Sequence, residues 1–322
     1  MYLGIDLGGT NIKVGLFDDQ LNSVDELWRP TQSETNSITV VSNLTNAIQE
    51  LLIRNQVRQS MLQAIGIGVP GLLDIAAGIS KFSPNFANWA DVPIKHIFEE
   101  QFHVPVFIDN DVRVNLYGEW QRGVGIDQTN LLMVTLGTGM GSGIVVDGHV
   151  LYGATTSAGE IGHMNMYRHG RPCACGSSGC LGRYVSGRGI VKTAQEKLAA
   201  GFTSIVAEWT NNQPAQITAK MLSEADDQHD QMAHAVWQET GELLGYGLAN
   251  AINLYNPAIL IIGGGVANAG ERLLVPMKRS IHQHGLKIAV AACQIETAKL
   301  GDRAGMIGAA IVAQRRLNKS SK

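Results

Sequence analysis

Three glycine-rich loops, each directly following a short apolar run, constrain this chain more than any other feature of its sequence. They stand at Gly8-Gly9-Thr10, Gly137-Thr138-Gly139 and Gly263-Gly264-Gly265, after the runs YLGIDL, LLMVTL and AILII. Short apolar runs bounded by glycine read as buried strands. Glycine lets successive backbone N–H groups close on one anion, and in α/β sheets ligands collect beyond the strand ends. One such loop could serve a turn only; three point to a nucleotide. No G-x-x-x-x-G-K-[ST] occurs, so this is not a P-loop. The single G-x-G-x-x-G, Gly66 to Gly71, begins inside a strand and puts Pro70 where a helix should open, so it is rejected as a dinucleotide site.

YLGIDL (2–7) and IKVGLFD (12–18) flank GGTN and predict a β-hairpin. LLMVTL, GTGMGSG and IVVDG repeat the pattern, and matching Leu7-Gly8-Gly9-Thr10 to Leu136-Gly137-Thr138-Gly139 points to an internal duplication. Between the copies, Ile38, Val41, Leu44, Ile48 and Leu51 recur at helical spacing. Ala64 to Val69 and Val104 to Ile108 read as strands, the second running into Asp109-Asn110-Asp111. Val236, Thr240, Leu243, Gly247, Ala251 and Leu254 mark a long helix that stops before Pro257. The pattern is α/β, with two related lobes expected around a cleft. The polar tail from Asn318 is expected to fray.

Two acids stand at strand ends. Asp6 could hold Mg²⁺ directly or through water, and Asp111 could take a proton from an attacking hydroxyl. The competing reading makes both turn formers or helix caps. A second cluster is GEIGHMNMYRHGRPCACGSSGC. Cys173, Cys175 and Cys180 fall close together, and with His163 they match a structural Zn²⁺ site, His169 being a competing ligand. Four protein ligands leave no open position, so the metal would stiffen a loop rather than catalyse.

Apolar residues make up 45% of the 322 residues and charged ones 16%, which suits a packed interior. The net charge of −3 gives no electrostatic reason to expect nucleic acid. MYLGIDLGGT lacks a basic leader region and no apolar run approaches a membrane span, so a cytoplasmic protein without membrane contact is expected.

The segments GIDLGGTNIKVGLFD (4–18), GVPGLLD (68–74), SPNFANW (83–89), DND (109–111), LGTGMGSGIVVDG (136–148), GEIGH (159–163), CACGSSGC (173–180) and IIGGGV (261–266) together resemble the ROK family of bacterial sugar kinases and repressors. The resemblance implies an actin-like, hexokinase-type fold with lobes over 1–115 and 116–303, a helix over about 304–320 returning to the first lobe, and a homodimer. It implies ATP-dependent phosphorylation of a hexose 6-hydroxyl, glucose being the default. N-acetylmannosamine, N-acetylglucosamine, fructose and allose are the alternatives. Gly8, Gly9, Thr10, Gly137, Thr138 and Gly139 would face the phosphates, with Gly264 and Gly265 near the nucleoside. Asp6, Asn11 and Lys13 would complete the cofactor site. Gly71, Asn85, Asn110, Asp111, Glu160 and His163 would contact sugar, Asp111 as base, and His163 would also bind zinc.

Two departures stand out. Gly182 occupies the place of a usual glutamate (GC-x-E), and Val112-Arg113 replace Ala-Asn after the strand. They imply a sugar pocket that is larger near C1/C2 or suited to another sugar, with a cation introduced beside it. A different class, a non-catalytic sugar sensor, is kept as the alternative. Family repressors carry a helix-turn-helix before the first glycine loop, which here begins at residue 8, so DNA binding is not expected.

Overall fold

The N-terminal hairpin forms in the computed structural model, which describes residues 1–320. Strand β1 (Tyr2–Leu7) pairs antiparallel with β2 (Asn11–Phe17), and β2 with β3 (Ser23–Pro30). Helix α1 (Ser37–Arg54) leads to β4 (Ala64–Val69) and to the short strands β5 (Leu72–Asp74), β6 (Ile79–Phe82) and β7 (Ala90–Val92). Helix α2 (Ile94–Phe102), strand β8 (Val106–Asn110) and helix α3 (Asp111–Arg122) follow. A second hairpin-led sheet starts with β9 (Leu131–Leu136), β10 (Met140–Val146) and β11 (His149–Val150). Helices α4 (Gly182–Val185), α5 (Gly187–Ala199), α6 (Ile205–Trp209), α7 (Ala219–Asp227) and α8 (Gln231–Tyr255) precede β12 (Ile259–Gly263). Helices α9 (Glu271–His284) and α10 (Lys287–Ala292), strand β13 (Gln294–Thr297) and helix α11 (Ala304–Ser320) complete the chain.

These elements form two compact units. The first holds 1–127, Tyr152–Ser157 and the chain from Lys299; the second holds Gln128–Leu151 and Ala158–Ala298. The boundary expected at 115 therefore falls inside α3, which packs along α11 and stays with the first unit. Sheet orders are β3-β2-β1-β4-β8 and β11-β10-β9-β12-β13. The two sheets repeat one topology, with a glycine loop at the same hairpin turn in each, in accord with an internal duplication.

Helix α11 lies on β1 and β4 as well as α3. Its sequence AGMIGAAIVA is small-sided, and glycines face it from below. A Cβ on Gly66 would stand 1.9 Å from the Ala309 carbonyl oxygen, and one on Gly308 would stand 1.7 Å from that of Val114. Backbones meet here with no room for a methyl group. Gly308→Val is expected to destabilise the first unit by about 3 kcal/mol or more, since overpacking against backbone cannot relax by a rotamer change. An unchanged urea midpoint would contradict this packing.

Helix α1 buries Val40, Leu44, Ala47, Ile48, Leu51 and Leu52, while Ile38 is 79% exposed. At 100° per residue Ile38 points about 120° away from Leu44, so it lies off the stripe that the expectation assigned to it. The strand expected at 104–108 runs instead from Val106 to Asn110. His103 ends α2 in the left-handed region, and Pro105 has no N–H to give the ladder. Helix α8 ends as expected before Pro257, capped by Asn256 at φ 43°, although Leu254 is exposed. Helix α11 continues past Asn318, where fraying was expected, to Ser320; Ser321 and Lys322 lie outside the described residues. Among the described residues no helix is long and apolar enough to cross a membrane.

Candidate active site

In the first unit the parallel strands β1, β4 and β8 end together, with Asp6 opposite Gly68 and Gly68 opposite Asp109. Their common end delivers the Gly8-Gly9-Thr10 loop, Gly71 and Asn110-Asp111 to one sheet edge, where α/β folds collect ligands. Asp6 is nearly buried and pairs across the hairpin with Lys13, whose Nζ lies 3.7 Å from Asp6 Oδ2 and 2.9 Å from Asp302 Oδ1. Burial pushes the Asp6 carboxyl up, and the Lys13 charge opposes that shift. Asp302 had no local signal in the sequence, being remote from Lys13 along the chain. The Asp6 carboxylate, with that of Asp302 on the other side of Lys13, could hold Mg²⁺ directly or through water, and the ion would supply positive charge to phosphate oxygens.

The first loop is held from within: Gly8 N–H donates to the Asn11 carbonyl at 3.0 Å, and Thr31 Oγ1 donates to that of Gly8 at 2.7 Å. Asn85 packs on it, since a Cβ on Gly9 would meet the Asn85 Cβ at 3.3 Å. Asn110 is the helix cap, its Oδ1 accepting the Val112 N–H at 3.0 Å. Asp111 opens α3, and its Oδ1 also accepts from Val112 N–H at 3.0 Å. The cap role is thus met by Asn110, and a carboxylate at Asp111 is favoured by the helix N-terminus. Arg113 is not the cation beside the site that its position in sequence led one to expect. It is buried, with Nε donating to Asp109 Oδ1 at 2.7 Å and Nη1 to the Thr156 carbonyl at 2.8 Å.

In the second unit a cavity of about 1060 Å³ is lined by Gly137, Thr138 and Gly265. A Cβ on Gly137, Gly139 or Gly265 would meet nothing within 4 Å, so no protein atom demands glycine there. Gly264 is different: it has φ +85°, and its Cβ would stand 2.4 Å from the Leu136 carbonyl oxygen. Val191, Ile217, Trp237 and Val266 give the cavity an apolar wall; Arg171, Arg183, Arg188, Lys192 and Lys220 give it positive charge. No carboxylate among the described residues lines it. Trp237 Nε1 and Arg183 Nε are buried without a hydrogen-bond partner. An apolar wall, a cationic rim and orphaned donors fit a nucleoside polyphosphate. These wall residues carry little signal in the sequence because they are scattered, α5 and α7 supplying several, α4 and α8 one each, and Arg171, Ile217 and Val266 lying outside those helices; the closely spaced arginines of GRYVSGRG are the one local hint.

The same unit carries Glu160 and His163 on a short turn. Ser142 Oγ donates to the Gly159 carbonyl and accepts the Ile161 N–H at 3.0 Å, which fixes the turn on β10. His163 Nδ1 lies 3.7 Å from Cys173 Sγ, Cys175 Sγ lies 3.7 Å from Cys180 Sγ, and all four ligand atoms fall within 4.8 Å of one another. A tetrahedral centre with Zn–S bonds of about 2.3 Å requires S···S separations of about 3.8 Å, so the donor set fits Zn²⁺. His169 is not part of this group. Burial pushes the Cys180 thiol up to about 12, whereas hydrogen bonds from the Ser177 backbone and the Cys173 thiol bring Cys175 down to about 7. Gly182 stands beside the turn: a Cβ there would lie 3.3 Å from the Gly162 carbonyl oxygen and from the Met140 Cβ.

Residues 2–316 match the model of the ROK family. A glucokinase of Halalkalibacterium halodurans is 34% identical over 322 residues, covering 100% of this chain and 97% of its own. A xylose repressor of Caldicellulosiruptor bescii is 28% identical over 95% of this chain, which spans 76% of the repressor. Among solved structures, a ROK family glucokinase from Streptomyces griseus, in complex with glucose and AMPPNP, superposes with a TM-score of 0.80 at 29% identity, covering 98% of this chain and 99% of its own. The fold is accordingly the actin-like ATPase fold with its two lobes. The chain belongs to the ROK family.

Proposed function

We propose that this chain is an ATP-dependent sugar kinase that phosphorylates the 6-hydroxyl of a hexose, with Asp111 as general base. The observation that carries this is the full-length match to a glucokinase, and Asp111, which opens α3 directly after β8, supports the role of base from the same end of the sheet as the first glycine loop. Asp111 accepts the proton of the 6-hydroxyl as its oxygen attacks the γ-phosphorus in line and ADP leaves. The nucleoside end of ATP occupies the cavity of the second unit. N–H groups of the Gly137–Gly139 loop and the cavity cations stabilise the phosphoryl charge. Mg²⁺, held through Asp6, supplies further charge neutralisation when bound. Gly71, Asn85, Asn110, Glu160 and His163 orient the sugar.

The test is ATP consumption against hexoses, N-acetylhexosamines and simple glycosides. Turnover on one sugar names the substrate. Sugar binding without turnover on any of them favours the sensor reading, for which the shared core with a xylose repressor is the motive.

Gly182 sets a second expectation. A glutamate there would add a charged hydrogen bond worth roughly 1.5–3 kcal/mol to a sugar hydroxyl. The close Gly162 carbonyl and Met140 side chain must first give way by a few tenths of an ångström. Gly182→Glu is therefore expected to lower the glucose KM by about 10-fold, the low end of that range. An unchanged KM would remove Gly182 from the sugar site.

A further inference from the structure

Arg113 sits in the first turn of α3, where the helix dipole favours anions and a cation is out of place. Its position makes sense only through Asp109, whose side chain is fully buried. Asp109 Oδ1 accepts from Arg113 Nε at 2.7 Å and from the Asn110 N–H at 2.8 Å. Asp109 Oδ2 accepts from Tyr152 Oη at 2.6 Å and from Arg316 Nη2. Arg316 Nη1 also donates to the Ile108 carbonyl at 2.7 Å. One carboxylate is thus shared by two guanidiniums, a phenol and a backbone amide, a set that satisfies a buried charge.

Two consequences follow from where these groups sit in the chain. The Arg113–Asp109 bond closes over the junction of β8 and α3, with Asn110, Asp111 and Val112 enclosed between its ends. The other arm of Arg113, to the Thr156 carbonyl, holds the Tyr152–Ser157 segment, from which the chain passes through Ala158 and Gly159 to Glu160. The Tyr152 ring lies 5.1 Å beneath the same guanidinium. Lysine could keep the charge but not both directed bonds, because those need the planar fork.

We infer that Arg113 is a positioning residue: it fixes the junction that carries Asp111, and the Tyr152–Ser157 segment, to the single buried carboxylate of Asp109. This rests on the reading of Asp111 as the base. Arg113 need not touch sugar or nucleotide.

The test uses Arg113→Ala, Arg113→Lys and Arg113→Asn in the full chain, with kinetics expressed per folded molecule. In Arg113→Ala, kcat is expected to fall roughly 10- to 100-fold, the scale of a small misplacement of a reacting group, with sugar KM changed less than about 3-fold. Millimolar guanidinium added to that variant restores kcat, and methylammonium does not. Arg113→Lys and Arg113→Asn stay impaired. Independently of substrate, hydrogen exchange of the peptides spanning 109–113 and 152–157 rises about 10-fold or more above the rest of the first unit, as local loosening requires. Exchange that rises uniformly through that unit, or not at all, would overturn the inference, as would an unchanged kcat in an active enzyme. If the wild-type protein turned over no sugar, the kinase reading would fail, and the exchange measurement would still decide the anchoring.

Discussion

Asp111→Asn is expected to lower kcat by about 10²- to 10⁴-fold, the usual contribution of a positioned general base, while the sugar still binds. Asparagine matches aspartate in shape, and its Oδ1 can still accept the Val112 N–H that Asp111 now takes at 3.0 Å. Asn110 goes on capping the helix. The start of α3 therefore survives, and what disappears is the ability to receive a proton from the 6-hydroxyl. Steady-state kinetics on the sugar found by the panel, with calorimetric binding of that sugar, separate the two effects. A variant that kept a tenth or more of wild-type kcat would show that Asp111 is not the base. A variant that lost sugar affinity in parallel would make it a binding residue instead.

Purified protein is expected to hold one zinc per chain, and stripping it should have the second largest effect. Structural zinc sites in small peptides bind with about 10–16 kcal/mol at neutral pH. Here the segment after His163 has supports of its own, such as Met166 N–H to the Gly179 carbonyl at 2.8 Å, so the loss is local order rather than the whole fold. Because His163 belongs to both the metal cluster and the Glu160 turn, that disorder reaches the proposed sugar contacts. Chelation, or Cys175→Ser, is expected to raise sugar KM by about 10-fold or more, by analogy with lost ligand support at metal sites. Binding must deprotonate thiols, including Cys180, which burial holds up at about 12. Zinc affinity therefore falls as pH is lowered, and metal release on acidification checks the sign. Protein lacking zinc, with unaltered kinetics after chelation, would leave the cluster as three crowded thiols.

What could be read from the sequence was local. A glycine loop after an apolar run, or four metal-type residues within one stretch, carries its meaning inside a few turns of chain. Hence the two hairpins, the duplication and the His163–Cys180 group were all visible. What could not be read depends on partners far away in the chain. Arg113 read as a cation beside the sugar pocket because Tyr152, Thr156 and Arg316, which surround it and Asp109, lie in segments the chain reaches only later. The walls of the large cavity come from four helices and from the loops around Gly137, Arg171, Ile217 and Gly265, so no one segment outlines it. Ile38 fails for another reason: the buried stripe takes its phase from Leu44, Ile48 and Leu51, and an apolar side chain just after the cap at Asn36 joins the count without sharing that phase.

Helix α11 carries a consequence for the order in which this protein is made. The face of the first sheet that it covers is built from residues 2–7 and 64–69, synthesised early, yet the covering helix is translated after all the other elements described. At ribosomal speeds of about 5–20 residues per second, the gap between the end of α3 and the arrival of α11 lasts on the order of ten seconds or longer. Through that interval the glycine-lined floor of Gly4 and Gly66 has no lid, while the second unit, continuous from Ala158 to Ala298, can condense as it emerges. The unit begun first is therefore completed after the other, and the nascent chain depends on other surfaces, its own or a chaperone's, until α11 has emerged.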